Sequence, residues 1–174
     1  MNYDPNALQV PSRLVLSSWN VRGLNDHTRK LKVKDFVKKE KPLILALQET
    51  KLTNNKMRIA ASNIAPSYTL IASQGRGGGG TALFLHPTIT VMEHGFMSYG
   101  NLTWARMDFQ GHSIHLAVVY DLHTPGRRAQ FWNRLNQVLP FRKWIILGDW
   151  NSVERPDQMS GCRNLMTGVE EDNF

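Results

Sequence analysis

Apolar residues in this chain fall into short continuous runs. Leu14–Trp19 is one, ending at the polar Asn20, and Leu43–Leu47 (LILAL) is another, preceded by Pro42. Such runs, bounded by breakers, are the pattern of strands buried on both faces. Between them, Leu31, Val33, Phe36 and Val37 lie at the spacing of one helical face, and Asn25 or Asp26 can cap the first turn. Thr53 is placed to cap a second helix that runs to about Ile64 and ends before Pro66. Tyr68–Ala72 is predicted as a strand, and Gly75 with Gly77–Gly80 leads into another, Thr81–Leu85 (TALFL). Further strands are predicted at Ile89–Met92, Leu102–Phe109 and Ile114–Tyr120, with Gly111 turning between the last two. Phe131, Leu135 and Val138 at i, i+4 and i+7 mark a third helix over about Arg127–Leu139. Trp144–Leu147 is the last predicted strand, ending at Gly148 and Asp149.

This order predicts a mixed α/β fold with both crossover units and antiparallel hairpins. Residues 1–13, polar and holding Pro5 and Pro11, are expected to form a flexible lead-in, and residues 14–174 one domain without repeat or linker. Composition agrees with that division. A chain of 174 residues at 41% hydrophobic and 20% charged has the balance of a globular domain, which excludes fibrous and disordered classes. The single cysteine, Cys162, cannot form an intramolecular disulfide, and the chain has neither a signal-peptide core nor a long apolar span. The expected setting is therefore intracellular, without a membrane partner. Charge changes the picture more. Lys and Arg outnumber Asp and Glu by 21 to 14, and the net charge of +7 attracts polyanions, nucleic acid first among them. Lys30, Lys32, Lys34, Lys38, Lys39 and Lys41 crowd the first helix, where a solvated face is the plainer explanation.

Candidate chemistry lies at three strand ends: Asn20 in SWNVRG, Glu49 in LQET, and Asp149 with Asn151 in GDWN. Side chains beyond the carboxyl ends of strands are rigidly held yet face open space, where ligands of α/β sheets bind. Two carboxylates and two amides suit a hard divalent cation, which takes one or two carboxylates together with substrate phosphate oxygens. The competing explanation is that Asp and Asn simply favour the turns that follow strands.

The blocks SWNVRGLN, LQETKL, GRGGGGTALFL, LAVVY, RAQFWNRL and LGDWNSVERPDQMSG, in this order, resemble the endonuclease/exonuclease/phosphatase superfamily. Within it, the glycine block and the FWNRL, GDWN and SG elements are most similar to the apurinic-type endonuclease domain of non-LTR (LINE-like) retrotransposons. The resemblance spans nearly all of residues 14–174. It implies a four-layer α/β sandwich of the DNase I-like type, two β-sheets flanked by helices. It also implies Mg²⁺-dependent hydrolysis of DNA phosphodiesters, with Mn²⁺ as the alternative ion and no organic cofactor. DNA is the implied partner and, for a retroelement enzyme, the nucleus the implied location. By the same resemblance Glu49 is the principal metal ligand, with Asn20 beside it in the metal site, positioning the metal or the phosphate, and Tyr120 contacts the phosphate. Asp149 orients or activates the attacking water and Asn151 supports it. Arg22 stands where repair-type relatives often carry a second metal-contacting acid, which puts more weight on Glu49.

Family members continue past GDWN to a closing Ser-Asp-His block that this sequence lacks, so the resemblance implies a fold incomplete at its C-terminus. An apolar sheet face, an open edge and low solubility are the expected consequences. None of His27, His86, His94, His112, His115 or His123 matches the context of that histidine, and His112 and His115 are expected on opposite faces of one strand. Two other functions remain open: a catalytically inactive remnant that binds nucleic acid, and a phosphatase acting on small phosphate esters. GRGGGG lacks the Gly-Lys-Ser/Thr ending of a phosphate loop and precedes a strand, so it is read as a turn. Trp19, Trp104, Trp132 and Trp144 are assigned to packing. Trp150, between two site residues, is assigned to substrate binding together with Arg127 and Arg128, which a solvated helix start would also explain.

Overall fold

A computed structural model describes residues 13–75, 79–97, 100–121, 125–139 and 143–151. Eight strands and three helices follow one another along the described residues: β1 (Leu16–Asn20), α1 (His27–Glu40), β2 (Ile44–Gln48), α2 (Asn54–Ile64), β3 (Thr69–Ser73), β4 (Thr81–Leu85), β5 (Thr90–Phe96), β6 (Leu102–Phe109), β7 (His112–Tyr120), α3 (Pro125–Val138) and β8 (Ile145–Asp149). The predicted caps form. Asp26 Oδ1 accepts from the Arg29 backbone N–H at 3.1 Å, and Thr53 Oγ1 from that of Lys56 at 3.4 Å. No helix among the described residues is long and apolar enough to cross a membrane.

The strands form two four-stranded sheets, ordered β1-β2-β4-β3 and β5-β6-β7-β8. Each sheet contains one parallel pair, β1 with β2 and β7 with β8, joined through α1 and α3 respectively. The remaining pairings are antiparallel. Alternation along β2 explains its continuous apolar run. Leu45 and Leu47 turn toward α1 and α2, meeting Val33, Val37, Met57 and Ile64, while Ile44 and Ala46 turn toward the second sheet. In the layer between the sheets Leu83 and Leu85 join residues of the second sheet, among them Ala105, Met107, Leu116 and Val118, all fully buried. On the far side Leu102, Ala117 and Val119 pack under Phe131 and Leu135 of α3. The result is the four-layer α/β sandwich: helices, sheet, sheet, helix. Each completely buried Leu or Ile contributes about 1.5–3 kcal/mol, so three such layers suffice to hold both sheets in fixed relation.

Several elements differ from the sequence expectation. Leu31 is 44% exposed, so the buried face of α1 is carried by Val33 and Val37, with Phe36 packing edge-on against Trp19. β5 extends to Phe96, beyond the predicted Met92. It is an edge strand, exposed along much of its length and bulged between Val91 and Glu93, so alternation is lost from its sequence. His112 and His115 do lie an odd number of positions apart on β7, and the ring of His115 meets Trp144 at 5.2 Å. Residues 1–12 of the expected lead-in, His123 and Cys162 lie outside the described residues.

Candidate active site

The parallel pairs determine where polar strand ends meet. β1 and β2 run together so that Asn20 pairs with Gln48, the residue before Glu49, and β7 and β8 run together so that Tyr120 pairs with Asp149. The two sets of carboxyl ends come from different sheets, and a single side chain ties them across the seam. Asn20 Nδ2 donates to Glu49 Oε1 at 2.9 Å and to Asp149 Oδ2 at 2.6 Å. The amide orientation has a chemical basis, because Asn20 Oδ1 accepts the Arg22 backbone N–H at 3.0 Å. Asp149 Oδ1 accepts the Asn151 N–H at 3.0 Å, and Asn151 Nδ2 donates to the Asp121 carbonyl at 2.8 Å. Gly148, just before Asp149, packs so tightly on the Val119 carbonyl that a Cβ has no room there.

The loop after β2 is held from both sides. On one flank the N–H groups of Val21, Gly23 and Leu24 donate to the carbonyls of Gln48, Glu49 and Thr50, at 3.0, 2.7 and 2.9 Å. On the other, the Thr50 and Lys51 N–H groups donate to the Gly80 and Gly79 carbonyls at 3.1 and 3.0 Å. This bracing sustains unfavourable backbone. Arg22, Glu49, Lys51 and Asn151 all adopt left-handed conformations, with φ of 49°, 53°, 53° and 48°. Each such residue costs roughly 1–3 kcal/mol, and strain of this kind collects at functional sites. The glycine block therefore ends in more than a turn: Gly80 has φ +109°, and a Cβ on it would lie 2.5 Å from Thr50 Oγ1.

Charge in the cluster is organised around Glu49, whose side chain is 13% exposed. Partial burial pushes its carboxyl upward, but hydrogen bonds from Lys51 and Asn20 outweigh burial and hold it below the ordinary value. Lys51 Nζ lies 2.8 Å from Glu49 Oε2. The Tyr120 hydroxyl is pushed up to about 12 by burial first, then by the adjacent Glu49 charge and a hydrogen bond to it. Beside Asn20 opens a cleft of about 210 Å³ lined by Trp19, Arg22, Arg29, Lys32 and Val33. The Arg29 guanidinium donates to the Arg22 carbonyl and so ties this wall to the site loop.

Asn20, Glu49, Tyr120, Asp149 and Asn151 thus converge as the sequence leads one to expect. Trp150 does not join them. Its ring stacks on Trp132 of α3, with centroids 5.1 Å apart and planes 4° from parallel, in the outer hydrophobic layer. The side chains of Arg127 and Arg128 lie outside the described residues. Among the described histidines, His27 opens α1, His86 packs on Tyr68, and His94, His112 and His115 lie on β5 and β7. Lys51, which the sequence does not single out, and Gly79 and Gly80, which it suggests only as a turn, also belong to the site loop. The signal for the glycines was their number, since a plain turn needs one or two.

A divalent cation fits the donor set. The convergent acceptors are oxygens, two of them carboxylates, and the Lys51 ammonium already stands as a cation on Glu49 Oε2. No group of three or more His, Cys, Asp or Glu gathers among the described residues. A metal held by Glu49 would complete its shell with water and substrate oxygens, as Mg²⁺ commonly does.

The model of the endonuclease/exonuclease/phosphatase family matches residues 17–165, a span that includes every residue of the cluster. The chain belongs to that family. Among solved structures it is similar to a D. rerio TDP2 humanized by 14 mutations, at 21% identity and a TM-score of 0.64, covering 81% of this chain and 67% of that one. It is likewise similar to an AP endonuclease from Archaeoglobus fulgidus, at 22% identity and TM-score 0.64, covering 83% and 60%. A 3′ phosphatase from Neisseria, NExo, bound to a product DNA hairpin, matches at 21% identity and TM-score 0.63, covering 80% and 58%. At these identities the likeness is one of fold, and the chain spans about three-fifths to two-thirds of each neighbour's length.

Proposed function

We propose that this chain is a divalent-metal-dependent hydrolase of DNA phosphodiesters, of the retrotransposon endonuclease type. The observation that carries this reading is the single hydrogen-bonded cluster in which Asn20 bridges Glu49 from one sheet and Asp149 from the other. A bound Mg²⁺ or Mn²⁺ would act as a Lewis acid on a phosphoryl oxygen. Glu49 is the residue to hold it, with Asn20 fixing the orientation of that carboxylate. The Tyr120 hydroxyl stays protonated at neutral pH, and its one proton, given to Glu49 in the substrate-free site, would turn to a phosphate oxygen and stabilise charge developing there. Asp149, each of whose oxygens already receives a fixed N–H, is held in one orientation and presents its remaining lone pairs to an attacking water. The cationic cleft of Arg22, Arg29 and Lys32 offers a place for phosphates beside the reacting one. DNA as substrate agrees with the net charge of +7, and with TDP2 and NExo structures that hold DNA products. The retrotransposon assignment is supported by the GGTALFL, FWNRL and GDWN blocks.

The test is nicking of supercoiled plasmid by purified protein with Mg²⁺, with Mn²⁺ and with EDTA, beside a Glu49→Gln control. Metal-dependent conversion to open circles, absent from the control, is the expected result; equal conversion by both proteins would refute it. A second reading, nucleic-acid binding without turnover, is supported by the net charge of +7, which attracts polyanions with or without catalysis. Salt-sensitive DNA binding without nicking would establish it.

A further inference from the structure

Both oxygens of Glu49 are engaged by protein donors, and besides the Tyr120 hydroxyl two of them, Asn20 and Lys51, differ in kind. Asn20 is locked: its amide makes bonds to Glu49, to Asp149 and to the Arg22 backbone. Lys51 has a locked backbone and a loose side chain. Its N–H donates to Gly79 at 3.0 Å and its carbonyl accepts from Asn25 Nδ2 at 3.0 Å. The side chain is 39% exposed, and Glu49 is its ion-pair partner among the described residues. Its stem runs beside Gly23, where a Cβ would lie 3.4 Å from Lys51 Cδ, so a flexible four-carbon chain has space to swing over that glycine.

A divalent cation on Glu49 would meet the ammonium at 2.8 Å from the same carboxylate oxygen, and two cations cannot share it comfortably. Resting on the metal-dependent reading above, we propose that Lys51 is an exchangeable counter-ion. Its ammonium neutralises Glu49 in the metal-free protein, gives way when a divalent cation binds, and then takes a phosphate oxygen of the DNA strand. An ammonium released beside a phosphate makes a strong charge-assisted hydrogen bond. Metal and DNA therefore bind with positive coupling through this one side chain, and the coupling is reciprocal.

The experiment compares wild type, Lys51→Met, Lys51→Arg and Glu49→Gln, each checked by thermal melting. Binding of Mn²⁺ alone is followed by the loss of its free-ion EPR signal. Binding of a hydrolysis-resistant phosphorothioate duplex is measured from 50 to 200 mM salt, with Mn²⁺ and with EDTA. Removing a half-exposed competitor should tighten Mn²⁺ binding by about two- to fivefold in Lys51→Met, and Lys51→Arg should restore the wild-type value. Mn²⁺ should steepen the wild-type salt dependence of DNA binding by about 0.9 log units per log unit of salt more than it does in Lys51→Met, the signature of one added phosphate contact. Unchanged or weaker Mn²⁺ binding by Lys51→Met, or equal slopes in the two proteins, would overturn the proposal while leaving the metal site standing. Mn²⁺ binding no stronger in the three proteins that retain Glu49 than in Glu49→Gln would overturn the metal reading and this proposal together.

Discussion

Replacing Asn20 by alanine tests the architecture most directly, because one amide nitrogen holds two carboxylates from two sheets. The oxygens it bonds are 2.9 Å and 2.6 Å away, so they lie no farther apart than the sum, about 5.5 Å. Two unit charges at that distance repel by roughly 3 kcal/mol at an effective dielectric of about 20. The variant also loses two charge-assisted hydrogen bonds, each about 1.5 kcal/mol at a half-buried position. Rotation of the carboxylates away from each other relieves part of this, leaving a loss of about 2–3 kcal/mol, or roughly 5–10 °C in Tm for a domain of this size. The pH dependence distinguishes this cause from lost packing. Glu49 is held below its ordinary value of 4.5, partly by Asn20, so its contribution is present above pH 4.5 and fades as pH falls through the depressed value. Thermal melts at pH 7 and pH 4 should therefore show a full deficit at the first and a smaller one at the second. Plasmid nicking at pH 7 should fall about a hundredfold, the usual consequence of displacing a reacting group by about 1 Å. A Tm deficit under about 1 °C at pH 7, or one equal at both pH values, would refute the bridging role.

Gly80→Ala should cost about 1–3 kcal/mol in urea unfolding, because φ +109° and the 2.5 Å approach to Thr50 Oγ1 both oppose a side chain. Gly111→Ala, at φ +80° but with nothing within 4 Å of its Cβ, should carry the left-handed strain without the clash and so cost less than Gly80→Ala. In a spectrophotometric titration Tyr120 should ionise near pH 12, identified by its loss in Tyr120→Phe. Because its folded value lies above the ordinary 10.0, the stability it contributes is complete below pH 10 and disappears as pH rises toward 12. Trp150→Ala should lower stability by about 2–4 kcal/mol through its stack on Trp132 yet leave the salt slope of DNA binding unchanged; a flattened slope would restore a substrate role.

What the sequence made legible depended on how completely each position was buried. LILAL announces β2 because both of its faces are covered, whereas β5, wet along one face and bulged at Met92, carries no alternation past that residue. Asp26 and Thr53 were readable because a cap is a local hydrogen bond. Asn20, Glu49 and Asp149 could be found at strand ends, but their union depends on the packing of two sheets, which no local pattern encodes. Trp150 follows Asp149 in sequence yet packs against Trp132 of α3, a partner that proximity to the site residues along the chain does not reveal. A lysine two residues after a glutamate looks like an ordinary surface pair in sequence; the left-handed backbone at both Glu49 and Lys51 accompanies an ammonium set directly on Glu49 Oε2.

The layer between the sheets carries a second requirement besides stability. Glu49 and Asp149 hang from different sheets, so the thickness of that layer acts as a calliper on the distance between them. Ala46 and Ala105, both completely buried there, are the smallest side chains in it. A larger residue at either position, even one absorbed with little loss of stability, would widen the jaws at the far end of the strands. Mutations deep in this core should therefore register first as slowed chemistry, and only later as melted protein.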